Sequence, residues 1–465
     1  MLPRSQPPRS AGQPRDPARV SVDPREREGM SPEGNGMMTE SRWRVLVFPG
    51  GTEIGLGIWN ALRHCKDVML HSAAADVSNH ASYVFARHFI LPSIHEPGWL
   101  AVLNALIERL RIDYIFPAHD DVIAALAAEA PRVRARVVSS PPETCLITRS
   151  KRLTYRALRG IVPVPHIYAD ADAVEAFPVF VKPDRGQGSK DAYLAQGRNE
   201  LRRLSLDPER TLLLEYLPGD EYTVDCFSDR ETGLLFSQGR QRVRTRSGIS
   251  MHSHPVRDPA FADYARAIAS KLALYGAWFF QVRRDGNGTL KLLEVAPRVA
   301  GTAVVSQVQG INLPLLSLYE QERVPVEILL NEIDVEVDRA LVNRYRHTVA
   351  FRTVYVDFDD TLVIRGDVNV DLVRFLYQCV NRNIRLVLLT RHGMDIHASL
   401  RQHRLDSLFD DIVQLGREAS KADYITERQA ILIDDSFRER KAVQEHRRIP
   451  TFDCSMVEML LDDRV

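Results

Sequence analysis

The sequence predicts an α/β protein of several domains, and three observations support this. Its 465 residues are too many for one ordinary domain. Short apolar runs alternate with helical stretches from about residue 43 to 140, and again from about residue 354 onward, which is typical of βαβ units with parallel sheets. Between these regions, strands and helices mix without that alternation, which indicates an α+β domain.

The composition excludes several classes of protein. Hydrophobic residues make up 45% and charged residues 26%, so sizeable cores can form. Lys+Arg and Asp+Glu number 61 each, and this balance gives no argument for nucleic acid or an anionic membrane as a partner. The five scattered cysteines form no CxxC pair, no apolar run approaches the ~20 residues of a membrane span, and the N-terminus lacks a secretory pattern. We therefore expect a cytoplasmic protein without disulfides or structural zinc.

Four segments follow one another along the chain. Residues 1–40 are rich in Pro, Arg, Ser and Gly, which predicts a disordered tail; a true start at Met30, Met37 or Met38 would explain this segment equally well. The three predicted domains then cover residues 41–140, 141–347 and 348–465. In the first, strands are expected at residues 44–48, 67–70 and 114–117.

The last domain contains an apolar strand that leads directly into acidic residues. Val354-Tyr355-Val356 is followed by Asp357 and Asp359, which can face one crevice at the carboxyl edge of a sheet. Two carboxylates at this distance repel each other unless a cation lies between them. A Mg²⁺ ion would leave one carboxylate free to attack phosphorus and the other to carry a proton.

These residues begin a pattern that resembles the haloacid-dehalogenase superfamily, whose first motif is DxDx[TV]. Thr390, Lys421 and the pair Asp434-Asp435 follow in the family's order. The resemblance implies a Rossmannoid phosphatase domain with Asp357 as nucleophile, Thr390 and Lys421 at the phosphate, and Asp357, Asp359, Asp434 and Asp435 at the metal. Lys441 is a second lysine in the same region. The short spacings leave no room for a cap domain.

Three motifs of the middle domain indicate a nucleotide site. A lysine at a strand end and a glycine-bearing turn form KPDRGQGS at residues 182–189, where backbone N–H groups and a charge can surround phosphate. The segments EYLPGDE at residues 215–221 and EVAPRVAG at residues 294–301 follow. Together they resemble the ATP-grasp superfamily, in its carbamoyl-phosphate-synthase and carboxylate–amine ligase branch, and especially proteins of tellurite-resistance-type operons. The resemblance implies a Rossmann-like domain in front of the α+β ATP-grasp domain.

The same resemblance implies a role for each matching residue. Lys151 and Lys182 would hold the phosphates of ATP, beneath the loop with Gly186, Gly188 and Ser189. The adenine contacts would come from the backbone of Glu215, Tyr216 and Leu217, the ribose contact from Glu221, the metal ligands from Gln281 and Glu294, and charge stabilisation from Arg298. Ala296 departs from the pattern, since the family has a metal-binding Asn there, and this puts catalysis in question.

Four arginines recur at every second position of the middle domain: Arg240, Arg242, Arg244 and Arg246. On a strand they share one face, and two explanations are equally good. Either Arg242 and Arg244 bind an anionic substrate, or the strand lies at a solvated edge where charge prevents aggregation. His252 and His254 are interpreted as polar loop residues. The segment His119-Asp120-Asp121 either reaches the substrate or caps the following helix.

We therefore expect a bifunctional enzyme that uses ATP and Mg²⁺, with Mn²⁺ as an alternative metal. Its ligase part would join a carboxylate to an amine through an acyl phosphate, and its phosphatase part would cleave a phosphate ester. Two alternatives stay open: a kinase paired with a phosphatase, or a nucleotide-sensing module that regulates the phosphatase. The resemblance also allows a homodimer.

Overall fold

The computed structural model describes residues 42–186, 190–204, 206–416 and 418–464. The chain divides into two compact units, with the boundary between Leu341 and Val342. We call the residues up to Leu341 unit 1 and residues 342–464 unit 2. The predicted tail, residues 1–40, lies outside the described residues. No helix in the described part of the chain is long and apolar enough to cross a membrane.

Unit 1 begins with a parallel five-stranded sheet in the order β3-β2-β1-β4-β5. Its elements are β1 (Trp43–Phe48), α1 (Glu53–Leu62), β2 (Val68–Ala74), β3 (His88–Ile90), α2 (Trp99–Leu110), β4 (Tyr114–Pro117), α3 (Asp120–Ala128) and β5 (Arg136–Val137). Because side chains alternate along β1, Val45 and Val47 pack with the core that includes α1, whereas Leu46 and Phe48 pack with the core that includes α2. Both faces of this sheet are therefore covered, as its continuous apolar strands require.

Two antiparallel sheets follow in unit 1, with strand orders β6-β9-β7-β8 and β14-β13-β10-β11-β12-β15. The elements before and within the smaller sheet are α4 (Pro142–Arg149), α5 (Lys151–Leu158), β6 (Ile167–Tyr168), β7 (Val179–Pro183), β8 (Tyr193–Ala195), α6 (Arg198–Arg203) and β9 (Thr211–Glu215). Those of the larger sheet are β10 (Glu221–Asp229), β11 (Gly233–Arg246), β12 (Ile249–Val256), α7 (Pro259–Lys271), β13 (Gly276–Arg284), β14 (Leu290–Ala296), α8 (Val304–Val308), α9 (Leu313–Gln321) and β15 (Val337–Asp338). Phe261, Ala265 and Ile268 of α7 pack on the larger sheet.

Unit 2 is built on a parallel five-stranded sheet in the order β20-β19-β16-β21-β22. Its elements are β16 (Thr353–Val356), β17 (Val363–Ile364), β18 (Asp367–Val368), α10 (Val370–Val380), β19 (Arg385–Thr390), α11 (Ile396–Gln402), β20 (Asp411–Gln414), α12 (Lys421–Tyr424), β21 (Ala430–Ile433), α13 (Phe437–Arg447) and β22 (Thr451–Phe452). The central strand β16 is fully buried and lies between β19 and β21. These three strands carry the predicted acids and Thr390 to one edge of the sheet.

A small hairpin is the main addition between β16 and β19. Strands β17 and β18 pair with each other and are joined by Arg365 and Gly366, which both have left-handed φ angles, of 55° and 88°. Such a pair of angles is typical of a tight two-residue turn. Within the described residues of unit 2, the connections around the sheet contain this hairpin, α10, α11 and β20, and no inserted folded domain.

Candidate active sites

A cavity of about 500 Å³ lies in unit 1. It collects most of the residues that the ATP-grasp motifs single out. Those on its wall are Lys151, Lys182, Gly186, Glu215, Tyr216, Leu217, Glu221, Gln281, Glu294 and Arg298, together with Arg242 of the arginine run. Gly188 and Ser189 lie outside the described residues. Residues as far apart in the chain as Lys151 and Arg298 thus meet around one space.

Two lysines, buried Lys182 and partly buried Lys151, form the cationic part of this cavity. Lys182 is 9% exposed, and its Nζ lies 3.0 Å from the Tyr155 hydroxyl. Burial lowers the pKa of Lys182 to about 8 and also lowers the pKa of Lys151. The Lys151 ammonium donates to the Gly186 carbonyl at 3.1 Å. Neither lysine forms an ion pair with a carboxylate among the described residues. An anionic ligand would therefore stabilise the charged form of each lysine.

The segment predicted to hold adenine and ribose follows β9. The Glu215 carboxylate accepts from the His166 backbone N–H at 2.8 Å and pairs with Lys291 at 3.4 Å. It is therefore engaged with protein, in keeping with a role for the backbone of this segment. Glu221 lies 2.7 Å from Arg242 and 3.7 Å from Arg283. Its carboxylate is shared between two guanidinium groups.

One row of four side chains crosses the larger sheet beside the lysines. Strand register places Glu294 opposite Gln281, Gln281 opposite Thr223, and Thr223 opposite Arg240. Direct cross-strand neighbours share a face, and all four residues line the cavity. Gln281 and Glu294 supply oxygen atoms, the donors that Mg²⁺ prefers, at one end of this cross-sheet row. Ala296 is buried, opposite Phe279, and offers no ligand.

The edge-strand explanation is wrong for Arg240, which lies on the interior part of β11. It holds for exposed Arg244 and Arg246, which lie beyond the last residue paired with β10 and have only β12 beside them. β11 is hydrogen-bonded to β10 on one side and to β12 on the other. Arg240 and Arg242 line the cavity, but the register shifts between Arg242 and Arg244, and the regular alternation ends there. Arg244 instead pairs with exposed Asp338 at 2.8 Å, away from the cavity wall. This geometry does not support the predicted contact between Arg244 and a substrate.

Arg298 and the loop before α3 form a second charged part of the wall. Arg298 donates to both carboxylate oxygens of Asp120, at 2.6 and 3.0 Å. Burial alone would lower the pKa of the guanidinium, but Asp120 outweighs burial and raises it. The neighbouring His119 caps α3 by accepting from the Asp121 N–H. His119 therefore caps α3, and both His119 and Asp120 line the cavity.

The two predicted loop histidines lie on strand β12, which corrects that interpretation. His252 pairs with Glu336, and His254 lines a separate groove near α7. Neither belongs to a cluster of metal-ligating side chains within the described residues.

Comparisons with known proteins agree with this architecture. A family model described as "ATP-grasp in the biosynthetic pathway with Ter operon" matches residues 207–338. An ADP complex of N5-carboxyaminoimidazole ribonucleotide synthetase has a similar fold, with a TM-score of 0.53, 14% identity, and coverage of 74% of this chain and 86% of that chain. The biotin carboxylase domain of Hydrogenobacter thermophilus 2-oxoglutarate carboxylase, with MgADP, has a TM-score of 0.51, 14% identity, and coverage of 63% and 72%.

A third similar structure is N5-carboxyaminoimidazole synthetase from Staphylococcus aureus with ADP, with a TM-score of 0.51, 14% identity, and coverage of 63% of this chain and 80% of that chain. No curated protein matches the chain in sequence. The family model and these structural neighbours support an ATP-grasp fold in unit 1. The family model does not extend into unit 2.

In unit 2, a compact group of acids lies at the carboxyl ends of β16 and β21. Oxygen atoms of Asp357, Asp434 and Asp435 all lie within 4.8 Å of one another. The Lys421 ammonium lies 2.8 Å from Asp357 Oδ1 and 2.6 Å from Asp434 Oδ2. Lys441, the other lysine considered, is exposed and pairs with Glu445. Lys421 is therefore the lysine that joins this three-acid cluster.

The charges of the three-acid cluster suit a divalent cation. Burial raises the pKa of Asp357; Lys421 opposes this shift, and Asp434 adds to it. Three carboxylates face a single ammonium, so one more positive charge would be needed near them for all three to stay ionised. Carboxylate oxygens are the donors that Mg²⁺ prefers, and the residues present therefore fit this ion.

Asp359 and Thr390 lie beside the three-acid cluster. The Asp359 side chain is 55% exposed, is not one of the three clustered acids, and lies 3.0 Å from His392 Nδ1. This placement suits a proton carrier better than the metal ligand that the motif also implied. Thr390 is buried at the end of β19, and its Oγ1 accepts from the His392 N–H at 3.2 Å.

Three residues that support the unit 2 site were not predicted from the sequence. His392 is buried between Asp359 and Ser399, with Nε2 2.8 Å from the Ser399 hydroxyl. Thr361 accepts from the Asp435 N–H at 2.9 Å. Arg440 donates to the carbonyls of Asp434 and Asp435, both at 2.6 Å. Thr361 occupies the last position of the DxDx[TV] motif and could have been found there.

Proposed function

We propose that the chain is a bifunctional biosynthetic enzyme. Unit 1 acts as an ATP- and Mg²⁺-dependent ligase of the ATP-grasp type, which joins a carboxylate to an amine-type nucleophile. Unit 2 acts as a phosphatase of the haloacid-dehalogenase type. The observation that carries the proposal is that each unit gathers charges suited to a phosphate group. In unit 1 these are Lys151 and Lys182, neither of which forms an ion pair within the described residues, and in unit 2 they are the three-acid cluster with Lys421.

In unit 1, the phosphates of ATP lie against Lys151 and Lys182. Gln281 and Glu294 would hold Mg²⁺, which when bound neutralises the charge of the polyphosphate. A carboxylate oxygen of the substrate attacks the γ-phosphorus, the bond to the β-phosphate oxygen breaks, and ADP leaves. The amine then attacks the acyl carbon, inorganic phosphate leaves with the bonding electrons, and the amine loses a proton.

The remaining residues of the wall orient the reactants. Arg298 is fixed by Asp120 at 2.6 Å, so its charge is positioned before the substrate arrives. The paired groups Glu221 and Arg242 are likewise held in place. Rigid charges of this kind stabilise a transition state without reorganising when the reaction occurs.

In unit 2, Asp357 is the nucleophile. Its carboxylate oxygen attacks the phosphorus of a phosphate monoester, and the ester P–O bond breaks while Asp359 gives a proton to the leaving oxygen. Water then attacks phosphorus, Asp359 takes up its proton, and free Asp357 and inorganic phosphate are regenerated. Asp434 and Asp435 would hold Mg²⁺ with Asp357, and the ion supplies charge neutralisation at the phosphate. Lys421 and Thr390 contact the phosphate oxygens.

The two activities belong to one pathway in this proposal. Without an inserted cap domain in its described residues, unit 2 is expected to accept a bulky phosphate ester. We therefore place its substrate among the intermediates or products of the pathway that the ligase serves.

The test of the ligase is ADP release from the full-length chain with MgATP and a panel of carboxylates and amines. Release that needs both substrates supports the ligase. A phosphorylated product without an amide would show the kinase instead. If no pair of substrates leads to ADP release, both the ligase and the kinase hypotheses are contradicted.

A regulatory role has one observation in its favour, because Ala296 offers no ligand where the family has a metal-binding Asn. MgATP binding without turnover, together with a changed phosphatase rate, would identify unit 1 as a nucleotide sensor.

A further inference from the structure

The far end of the cross-sheet row from Glu294 carries two buried polar groups that the protein leaves unsatisfied. Arg240 is 2% exposed and Thr223 is fully buried, and both line the cavity. Within the described residues, Arg240 Nη1 and Thr223 Oγ1 have no hydrogen-bond partner. Buried donors without partners are rare because each costs free energy, so such a pair in a cavity indicates a missing ligand.

The geometry points to an anion-binding subsite formed by Arg240 and Thr223, which receives the carboxylate that unit 1 activates. This inference rests on the proposed ligase function and names the residues that would select its acceptor. It also revises the sequence prediction, which placed the anion at Arg242 and Arg244.

The other hydrogen bonds of Arg240 fix the direction of its free donor. Its Nε and Nη2 donate to the two oxygens of Asp225, at 2.8 and 3.3 Å. Asp225 is 1% exposed, so this ion pair is buried and the guanidinium plane cannot rotate without breaking it. Nη1 is left as a fixed, charged donor, and Thr223 on the adjacent strand provides a hydroxyl beside it.

The neighbouring charges favour an anion at this subsite and disfavour a cation. Arg242 is held by Glu221 and Arg298 by Asp120, so their charges are largely matched. Arg339 is different: burial, followed by the repulsion of Arg240, lowers its pKa, and within the described residues it pairs with no carboxylate. Asp225 pairs with Arg240, and Glu53 only partly opposes the lowering of the Arg339 pKa. An oxyanion in this position would reduce the repulsion between Arg240 and Arg339.

The position within the row suits the reaction. Gln281, one of the two proposed metal ligands, lies directly opposite Thr223, so the metal end and the anion subsite meet on adjacent strands. Adjacent strands are about 4.8 Å apart. A carboxylate held at Arg240 would therefore lie about one or two strand spacings from the metal end, near the γ-phosphate it must attack.

The test is calorimetric titration of the full-length chain with acetate, L-glutamate, malonate and inorganic phosphate, each with and without saturating MgADP. Two variants remove the free donors and keep the surroundings: Arg240→Lys retains the charge beside Asp225, and Thr223→Val retains the volume. Arg244→Lys, on the same strand but paired with Asp338, is the matched control. Thermal melts of all variants confirm that they are folded.

We expect at least one carboxylate probe to bind more tightly than phosphate. Its Kd should weaken about tenfold in Arg240→Lys and several-fold in Thr223→Val, while the MgADP Kd stays within about twofold, since only the acceptor loses a hydrogen bond. Carboxylate binding that is unchanged in both variants, tighter phosphate binding, or no carboxylate binding at all would overturn the subsite. Failure to bind MgADP would instead contradict the proposed ligase function. In that case, the titrations without nucleotide would still show whether Arg240 and Thr223 bind a carboxylate.

Discussion

The two candidate sites are built on different parts of a β-sheet. In unit 2, Asp357 and Asp434 follow β16 and β21, which are neighbours in a parallel sheet, and the strand ends bring the acids to one edge. In unit 1, the cross-sheet row takes one side chain from each of four adjacent antiparallel strands, and register sets the spacing of these side chains.

This difference matches the chemistry proposed for each site. The edge site is compact, with three acids whose oxygen atoms lie within 4.8 Å of one another and one lysine in contact with two of them. The cross-sheet row lies in a cavity of about 500 Å³, and it separates an acidic end from a cationic end. A row of this kind can hold two reactants side by side, whereas an edge cluster activates one group at a time.

The largest expected effect concerns the nucleophile of unit 2. Asp357→Asn should lower turnover of an aryl phosphate about a thousandfold or more, because an amide cannot form the covalent intermediate. Phosphate release is the measurement, and Lys441→Gln, at an exposed lysine, is the control. ADP release by unit 1 should be unaffected. Full phosphatase activity in the Asn variant would remove Asp357 from its role.

The next effect concerns the cationic part of unit 1. Lys182→Gln should weaken MgADP binding by roughly thirtyfold, since a charge-assisted hydrogen bond is lost. Burial already disfavours the ammonium, as its lowered pKa shows, so the variant should melt at no lower temperature than the parent. Calorimetry and a thermal melt measure the two quantities, with Lys271→Gln on the surface of α7 as control. Equal MgADP affinity in both variants would place the phosphates elsewhere.

A smaller effect is expected at His392. His392→Gln should reduce kcat for the aryl phosphate about tenfold with little change in KM, because Asp359 loses the partner that fixes its carboxylate. His446→Gln, an exposed histidine on α13, should match the parent. If KM rises and kcat does not fall, His392 acts in binding and not in positioning the proton carrier.

The smallest effect is a change in proton uptake. Free Lys182 has a pKa of about 8, below that of an unfolded lysine, and bound phosphates would raise it. At pH 8, MgADP binding should therefore take up about half a proton, and the affinity should fall as pH rises above 8. Calorimetry in two buffers of different ionisation enthalpy measures the uptake. Lys182→Gln should abolish this contribution, and an uptake that persists in the variant would assign it to another group.

The sequence predicted the edge site more completely than the cross-sheet row, for a physical reason. Strand ends and the acids that follow them are local in sequence, so the positions of Asp357 and Asp434 could be predicted from short segments. The contact between His392 and Asp359 depends on the conformations of two loops, and no local pattern indicates it. In the same way, β3 was missed because its three residues are too short to show a period.

In unit 1, the family resemblance predicted Gln281 and Glu294 as metal ligands, but the pairing of Thr223 with Arg240 depends on the register between two strands. The alternation of the arginines correctly suggested a strand. It could not reveal the register shift after Arg242, which directs Arg244 to Asp338. Regular alternation along a strand predicts which face each side chain occupies. After a single bulge, the alternation no longer predicts the face.

The most direct test of the central claim traps the acyl phosphate of unit 1. The Asp357→Asn chain, in which unit 2 cannot consume phosphate esters, is incubated with MgATP, hydroxylamine and each carboxylate of a panel, and ADP and acyl hydroxamate are quantified. The account predicts equal amounts of ADP and hydroxamate for at least one carboxylate, with both lost in Lys182→Gln. ADP without hydroxamate for every carboxylate, or neither product while MgADP binds, would contradict the proposal that unit 1 is a carboxylate-activating ligase.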